Sequence, residues 1–516
     1  MRPATPAEDR AVSRAMDETS LGMFHYRAAV ISGMGFFTDA YDLFIIGTAM
    51  VLLKPEWHLT ATQVSMVSSA TLIAAFFGAM VFGRIADVVG RRRVYWLVSA
   101  IEVAGALASC VSPNLAWLVV SRFVLGMGVG GDYPLSAVMM SEYANSRDRG
   151  RLVGLVFSMQ ALGLVVGPIV GLTLVASGIS HDVAWRIMLG VGALPAAAVV
   201  YLRVKMPESP RYSEGVLGQG GIAALQVKAF SKGAVNVADS GSRSSPRAAE
   251  GRYGLKHLLT NRRLLTTLIG TAGTWFIFDY AYYGNTISTP LIMKDVAPHA
   301  ALVTTLAWTL IVFAIFAVPG YVLALATMDR IGHRRLQVIG FACMGVAFLA
   351  IGGAPGLVHD TAPFLLLYGV SYFFAEFGPN TTTFVLPAEL FPVSVRTTGH
   401  GISAGVAKLG AFIGVFAFPV ISKSLGLRGT LLMTGALSMA GLALTRLLPE
   451  PAGRSLDEIA DDHLDRPTGT TPSPAVPVDA GMDSTSLSPA GVPAGTARML
   501  APTARRGSRR SAESAA

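Results

Sequence analysis

Charge is scarce in this chain. Of 516 residues only 14% are Asp, Glu, Lys or Arg, against 52% that are hydrophobic, and mean hydropathy is +0.52. That shortage excludes an ordinary soluble domain, in which about a quarter of the residues are charged. Cysteine is nearly missing: Cys110 and Cys343 fall in opposite halves, so a disulfide framework is excluded and both read as packing residues. Segments of ~10 strictly alternating residues are missing too, which excludes a transmembrane β-barrel. The first ~25 residues are polar and mixed in charge without a short apolar core, so no cleavable signal is expected. No nucleotide loop, metal cluster or nucleophile triad stands out, so neither an enzyme nor a cofactor is expected.

Long apolar runs are what the chain has instead. Stretches of roughly 20 apolar residues, such as Val183–Val204 and Leu302–Ala326, are each long enough as a helix to cross ~30 Å of hydrocarbon. Their recurrence predicts an all-α membrane protein of twelve spans. The net charge of +9 is no nucleic-acid signal, because the arginines sit between spans and not on one basic face with interleaved aromatics. Arg84 with Arg91–Arg93, then Arg147, Arg149 and Arg151, then Arg330, Arg334 and Arg335, and finally Arg396 fall on alternate connections. The positive-inside rule makes those connections, and both termini, cytoplasmic.

Apolar periodicity divides the chain into a bundle of six spans (1–205), a Gly-, Ser- and charge-rich linker (206–262) expected to be flexible, a second bundle (263–448) and a disordered tail (449–516). The tail's Arg505-Arg506 and Arg509-Arg510 cluster suits anionic lipid. The bundles repeat. Asp87, Gly90 and Arg92 recur as Asp329, Gly332 and Arg334 at an offset of 242, while Glu142, Arg149, Gly154, Gly163 and Gly167 recur as Glu389, Arg396, Gly401, Gly410 and Gly414 at 247. Parallel repeats of six spans place a substrate site near the midplane between halves, which is a transporter architecture.

Gly83-Arg84-x-x-Asp87-x-x-Gly90-Arg91-Arg92, Pro207-Glu208-Ser209-Pro210-Arg211 and Pro449-Glu450 with Ser455-Leu456 resemble signatures of the major facilitator superfamily, within its sugar-porter-like branch. The repeated loop residues suit a cytoplasmic gate built from Asp87, Arg91, Arg92, Glu142, Arg149, Asp329, Arg334, Glu389 and Arg396. Exposed ion pairs contribute only ~0–1 kcal/mol, so such a gate is expected to bias an equilibrium without locking it.

Ionisable side chains inside spans are costly and mark function. Asp39 and Asp42, three apart, share one face of the first span, and two close carboxylates cannot both ionise cheaply, which suits one of them to carry a proton. Asp279 of the second half corresponds to Asp39 at an offset of 240. Arg122 of the fourth span needs a carboxylate partner, for which Asp39, Asp42 and Asp132 are the candidates; Glu102 of the third span is a further acid. Trp275, Asp279 and Tyr283, spaced by four and four, line one stripe of the seventh span. Gln160, Asn380 and Lys408 complete the set; Asn380 lies 247 after Tyr133, and Lys408 requires an anion or an acid.

The run Gly130-Gly131-Asp132-Tyr133-Pro134-Leu135-Ser136, with Phe37-Thr38-Asp39-Ala40-Tyr41-Asp42-Leu43-Phe44, Trp275-Phe276-x-Phe278-Asp279 and Phe377-Gly378-Pro379-Asn380-x-Thr382-Thr383-Phe384, is similar to the signature blocks of plant and fungal phosphate:proton symporters. The resemblance implies a plasma-membrane importer. It implies that Tyr133, Gln160, Trp275, Asp279, Tyr283, Asn380 and Lys408 contact phosphate, and that Asp39, Asp42 and Asp132 with Arg122 handle the proton, Glu102 being added from its position alone. Arsenate is the expected competitor and a monomer the expected unit. Two other readings share the fold: a proton-coupled sugar or organic-acid symporter, and a non-transporting nutrient receptor.

Overall fold

The computed structural model describes residues 11–230, 254–297, 299–300, 302–358 and 360–461. Among the described residues, ten helices are long and apolar enough to cross a membrane. In the first half these are the first span (Met23–Glu56), the second (Thr62–Val89), the third (Arg91–Cys110), the fourth (Leu115–Tyr143), the fifth (Arg149–Ala176) and the sixth (His181–Val204). In the second half they are the eighth (Ala307–Ile331), the ninth (His333–Gly353), the eleventh (Arg396–Phe418) and the twelfth (Val420–Leu447). Two further long helical segments complete the twelve: the seventh, Arg262–Val296, and the tenth, which runs as Thr361–Ala375, a π-type turn Glu376–Asn380, and Thr381–Leu390. These two carry Trp275, Asp279 and Tyr283, and Glu376 and Asn380 respectively. No strand occurs among the described residues.

The repeat read from the sequence is a repeat of contacts. Gly163 lies where the fifth span crosses the first, with Phe37 O 2.6 Å from where a Cβ would stand, and Gly410 lies where the eleventh crosses the seventh against Phe276. Gly154 faces Leu325 of the eighth span while Gly401 faces Ala79 of the second, so the matched pair also joins the halves. Gly90 and Gly332 both hold positive φ, 109° and 101°, at the second-to-third and eighth-to-ninth turns. A side chain there would be strained, which accounts for the repeated glycine. Gly130 sits so close to the second span that a Cβ would stand 2.6 Å from Ala75 Cα. Gly130→Val is therefore expected to lower the midpoint of thermal unfolding in detergent by several degrees and cut the yield of folded protein, whereas the same change at Gly353, where a Cβ meets nothing within 4 Å, leaves both near wild type.

The linker differs from the flexible segment expected. Helices Pro210–Gly215, Gly220–Phe230 and Leu255–Thr260 occupy it, and residues 231–253 lie outside the described set. Val12, Met16, Ala223 and Val227 bury one another, and Glu214 accepts from the backbone N–H of Val12 and Ser13 at 3.1 Å each, tying the linker to the helix Ala11–Glu18. Apolar residues four apart at Ala223 and Val227 gave this face its periodicity, which the surrounding Gly and Ser masked. Of the tail, residues 449–461 are described and end in the helix Leu456–Asp461; the Arg505–Arg510 cluster lies outside the described residues.

Candidate functional site

The polar residues from the middle of the spans gather into two groups that meet at the fourth span, where Asp132 and Tyr133 are consecutive. Tyr133 faces the second half. Its hydroxyl lies 3.3 Å from that of Tyr283, and the Lys408 ammonium sits over both rings, 4.3 and 4.4 Å from their centroids. Lys408 Nζ donates to Asp279 Oδ2 at 2.8 Å and to Tyr283 at 3.0 Å, and the Trp275 side chain hydrogen-bonds Asp279. The sequence spacing builds this arrangement: steps of four put Trp275, Asp279 and Tyr283 on one stripe, and Gly410 and Gly414 of the eleventh span let that stripe approach Lys408's helix closely. Lysine, acid, two phenols and an indole from three spans are all buried. Gln160 is buried in the fifth span, and neither atom of its amide has a partner among the described residues.

Asn380 is committed differently. Its amide nitrogen donates to Tyr321 at 2.8 Å and to Glu376, so both amide protons are engaged within the second half. The chamber is floored by rings from both halves. Phe157 stacks on Phe384 at 4.6 Å, Phe36 meets Phe384 and Tyr133 at 4.9 Å each, and Trp275 meets His400 at 5.5 Å.

In the second group, carboxylate oxygens of Asp39, Glu102 and Asp132 lie within 4.8 Å of one another. The arginine that answers them is Arg203, at the end of the sixth span. It holds Asp132 through both carboxylate oxygens, at 2.5 and 2.9 Å, donates to Ser99, and stacks on Tyr95 at 3.9 Å. Arg122 lies with Asp42, one of its three candidate partners, and donates to that residue's backbone carbonyl at 2.6 Å. Asp39 and Asp42 thus stand in different surroundings: Asp42 with Arg122, and Asp39 with Glu102 and the Asp132–Arg203 pair. Both Asp39 oxygens and one Glu102 oxygen have no hydrogen-bond partner among the described residues. The sequence reading missed Arg203 because it stands near the basic-loop end of an apolar run, where an arginine beside a loop carries no functional signal. Its spacing from Tyr95 and Ser99 along the chain gives no signal.

At the basic-loop end the gating residues form a two-fold network. Glu142 accepts from Arg91 of its own half at 3.1 Å and from Arg396 of the other at 3.2 Å; Glu389 accepts from Arg149 across the halves at 3.1 Å and contacts His333 of its own at 3.1 Å. Asp87 accepts from Thr398 N and Oγ1 at 2.6 Å, while Asp329 accepts from Arg151 N at 2.9 Å, the same bond 247 residues earlier on the donor side. Arg92 and Arg334 do not cross. Their backbone N–H groups donate to Glu208 and Glu450, which stand at the 242 offset and secure the third and ninth spans. Burial pushes the Glu208 carboxyl up from its ordinary value, while N–H donation from Ser209 and Arg92 holds it down. The sequence reading priced these pairs as exposed, but Arg91, Glu142, Arg149, Glu389 and Arg396 are all at most 1% accessible. A buried network is therefore tighter than the weak bias expected, because removing one partner strands the other away from water.

Comparison with known proteins fits this geometry. Residues 18–463 match the model of the family described as "Sugar (and other) transporter". A probable inorganic phosphate transporter 1-6 of Arabidopsis thaliana is 35% identical, over 88% of this chain and 97% of its own. A putative inorganic phosphate transporter 1-13 of Oryza sativa subsp. japonica is 37% identical, over 87% and 94%. Among solved structures, the major facilitator superfamily proton:xylose symporter XylE bound to 6-bromo-6-deoxy-D-glucose superposes with a TM-score of 0.72 at 20% identity, over 84% of this chain and 98% of that one. These relatives are transporters, not enzymes. With its long helical spans, its internal repeat and its buried polar centre, the chain belongs to the sugar (and other) transporter family, and the plant inorganic phosphate transporters are among its relatives.

Proposed function

We propose that this protein imports inorganic phosphate together with protons by alternating access of its two halves. The observation that carries the proposal is the buried Lys408–Asp279 pair, its ammonium over the Tyr133 and Tyr283 rings, with Trp275 on the acid. The names of the relatives point the same way. A carboxylate suits an anion site only when the substrate brings its own proton. Monobasic or dibasic phosphate can donate to Asp279 while accepting from Lys408, Tyr133, Tyr283, Trp275, Gln160 and Asn380. Sulfate at neutral pH has no proton to give, and a neutral sugar gives the lysine no anion to hold.

Proton coupling is assigned to Asp39 with Glu102, whose carboxylate oxygens include ones without a hydrogen-bond partner among the described residues, whereas Asp132 is engaged by Arg203 through both oxygens. A proton arriving from outside neutralises Asp39 or Glu102, the site accepts phosphate, and the halves rock inward. The Glu142 and Glu389 network then parts to release both into the cytoplasm. In this reading the basic-loop end and both termini face the cytoplasm, the host membrane is the plasma membrane, and one chain suffices because every chamber residue belongs to it. The bundle boundaries are 1–205 and 263–448, with 206–262 between them on the cytoplasmic side.

Reconstituted into proteoliposomes, the protein is expected to accumulate phosphate severalfold faster under an inward proton gradient. Arsenate should suppress that uptake, and about tenfold excess sulfate should leave it nearly unchanged. Equal uptake with and without the gradient would overturn symport; strong inhibition by sulfate would overturn the role given to Asp279.

A further inference from the structure

We propose that Glu376 is a second proton-carrying group, in the half opposite Asp39, and that its protonation frees Asn380 to bind the substrate. The inference rests on the phosphate-symport reading and extends it to a residue that reading does not use.

Glu376 is fully buried at the start of the π-type turn Glu376–Asn380 in the tenth span. Inserting an extra residue into a helical turn re-aims side chains, and such turns recur at functional positions. Here the turn brings Glu376 and Asn380 into direct hydrogen-bond contact. Glu376 Oε1 accepts from the Tyr282 hydroxyl at 2.8 Å, Oε2 accepts from Asn380 Nδ2, and Tyr321 also hydrogen-bonds the carboxylate. The titratable groups facing it are Tyr282 on the seventh span, Tyr321 on the eighth, and Tyr372, one turn back on its own span. No cation pairs with it among the described residues. Every other buried carboxylate of the gate and of the chamber is paired with Lys, Arg or His; this one has only neutral donors. An anion held in the interior by neutral dipoles alone is the kind that exchanges a proton, since the charged form lacks a counter-charge.

The contact with Asn380 makes that exchange matter. With Glu376 ionised, both amide protons of Asn380 are engaged, one by Tyr321 and one by Oε2, and the amide can offer an anion no donor. A proton bound at Oε2 turns that acceptor into an O–H donor. The Asn380 N–H loses its partner and becomes available to phosphate, while the new O–H can be accepted by the amide oxygen. Proton and phosphate then favour each other's binding, as linkage requires of any such coupling. Tyr321 lies within electrostatic reach of Asp279 and Tyr283 as well as Glu376, so the second proton sits beside the chamber and not in a separate compartment. With Asp39 in the first half and Glu376 in the second, each half carries one proton, and import of monobasic phosphate moves net positive charge inward.

The test is the number of protons taken up per phosphate, read in proteoliposomes with an internal pH indicator and labelled phosphate. The wild type is expected to take up two beyond the substrate's own, Glu376→Gln one, and Glu376→Asp two. Glu376→Gln with the wild-type ratio overturns the proposal. Wild-type uptake indifferent to the gradient overturns the symport reading instead, and Glu376 is then judged by infrared difference spectra on phosphate addition. A protonated-carboxyl band that Glu376→Gln lacks supports it, and identical spectra sink it. If Glu376→Gln does not fold, Tyr282→Phe removes a donor to the ionised form, so phosphate binding by that variant is expected to persist to higher pH, by about one unit. An unchanged pH profile there counts against Glu376.

Discussion

Lys408→Ala is expected to lower phosphate uptake by about 100-fold or more, and Asp279→Asn to lower it comparably while leaving phosphate binding intact. The two variants differ in what they strand. Without Lys408 the Asp279 carboxylate stays buried with only the Trp275 side chain against it, and an approaching anion meets an uncompensated negative charge. Breaking a buried pair in this way costs about 3–5 kcal/mol, which is roughly 10²- to 5 × 10³-fold in an equilibrium or a rate. Without the Asp279 charge the ammonium is left unpaired between two aromatic faces, 4.3 and 4.4 Å away, and holds phosphate at least as firmly as before. What is lost is the competing anion that takes the lysine back when phosphate leaves, so release slows. Calorimetric binding and proteoliposome uptake separate the cases: weak binding for Lys408→Ala, retained binding with slow turnover for Asp279→Asn. Wild-type uptake by Lys408→Ala would remove the lysine from the site.

That pair shows what a sequence can disclose. A lysine in the middle of an apolar span has to meet an acid, and a Trp–Asp–Tyr stripe at steps of four has to face one way, so Lys408 and Asp279 were each legible as a half of something. That they are halves of the same thing depends on how closely the seventh and eleventh spans pack, which Gly410 and Gly414 permit but do not specify. The same limit applies to the arginines. Arg122 and Arg203 were equally able to answer Asp132, and only the approach of the sixth span to the third and fourth selects Arg203. Glu376 was passed over because it immediately precedes the Phe377-Gly378-Pro379-Asn380 block, whose likeness to known transporters drew attention to Asn380. Its step of four to Asn380 is the same spacing as Trp275 to Asp279, but the π-type turn and the contact with Tyr282 and Tyr321 of other spans leave no trace in the chain. The gate was the reverse case. Its residues repeat at fixed offsets and were identified together, yet a list of loop residues does not reveal that they are buried.

The gate's two-fold logic predicts an inequality. Replacing Arg149 or Arg396 removes one crossing ion pair, and the acid it leaves, Glu389 or Glu142, keeps the base of its own half, His333 or Arg91. Replacing Glu142 removes a crossing pair and also leaves Arg91 and Arg396, both buried, without that acid. Glu142→Ala is therefore expected to open the basic-loop end more than Arg396→Ala, and Glu389→Ala more than Arg149→Ala. Moving a two-state equilibrium from 1:99 to 99:1 takes about 5.5 kcal/mol, so a single buried-partner loss of about 3–5 kcal/mol brings the open form to a comparable population, and the Glu142→Ala, Glu389→Ala double variant should invert the balance. Spin labels at the exposed positions Arg147 and Arg335, one in each half, report the separation directly. A second, longer distance should be minor in wild type, intermediate in the arginine variants, and dominant in the double glutamate variant. Uptake should fall along the same series, because a carrier held open at one end seldom returns to collect substrate at the other. A distance distribution unchanged in the double variant would mean that the ring floor at Phe36, Phe157 and Phe384, and not the ion network, holds the halves together at that end.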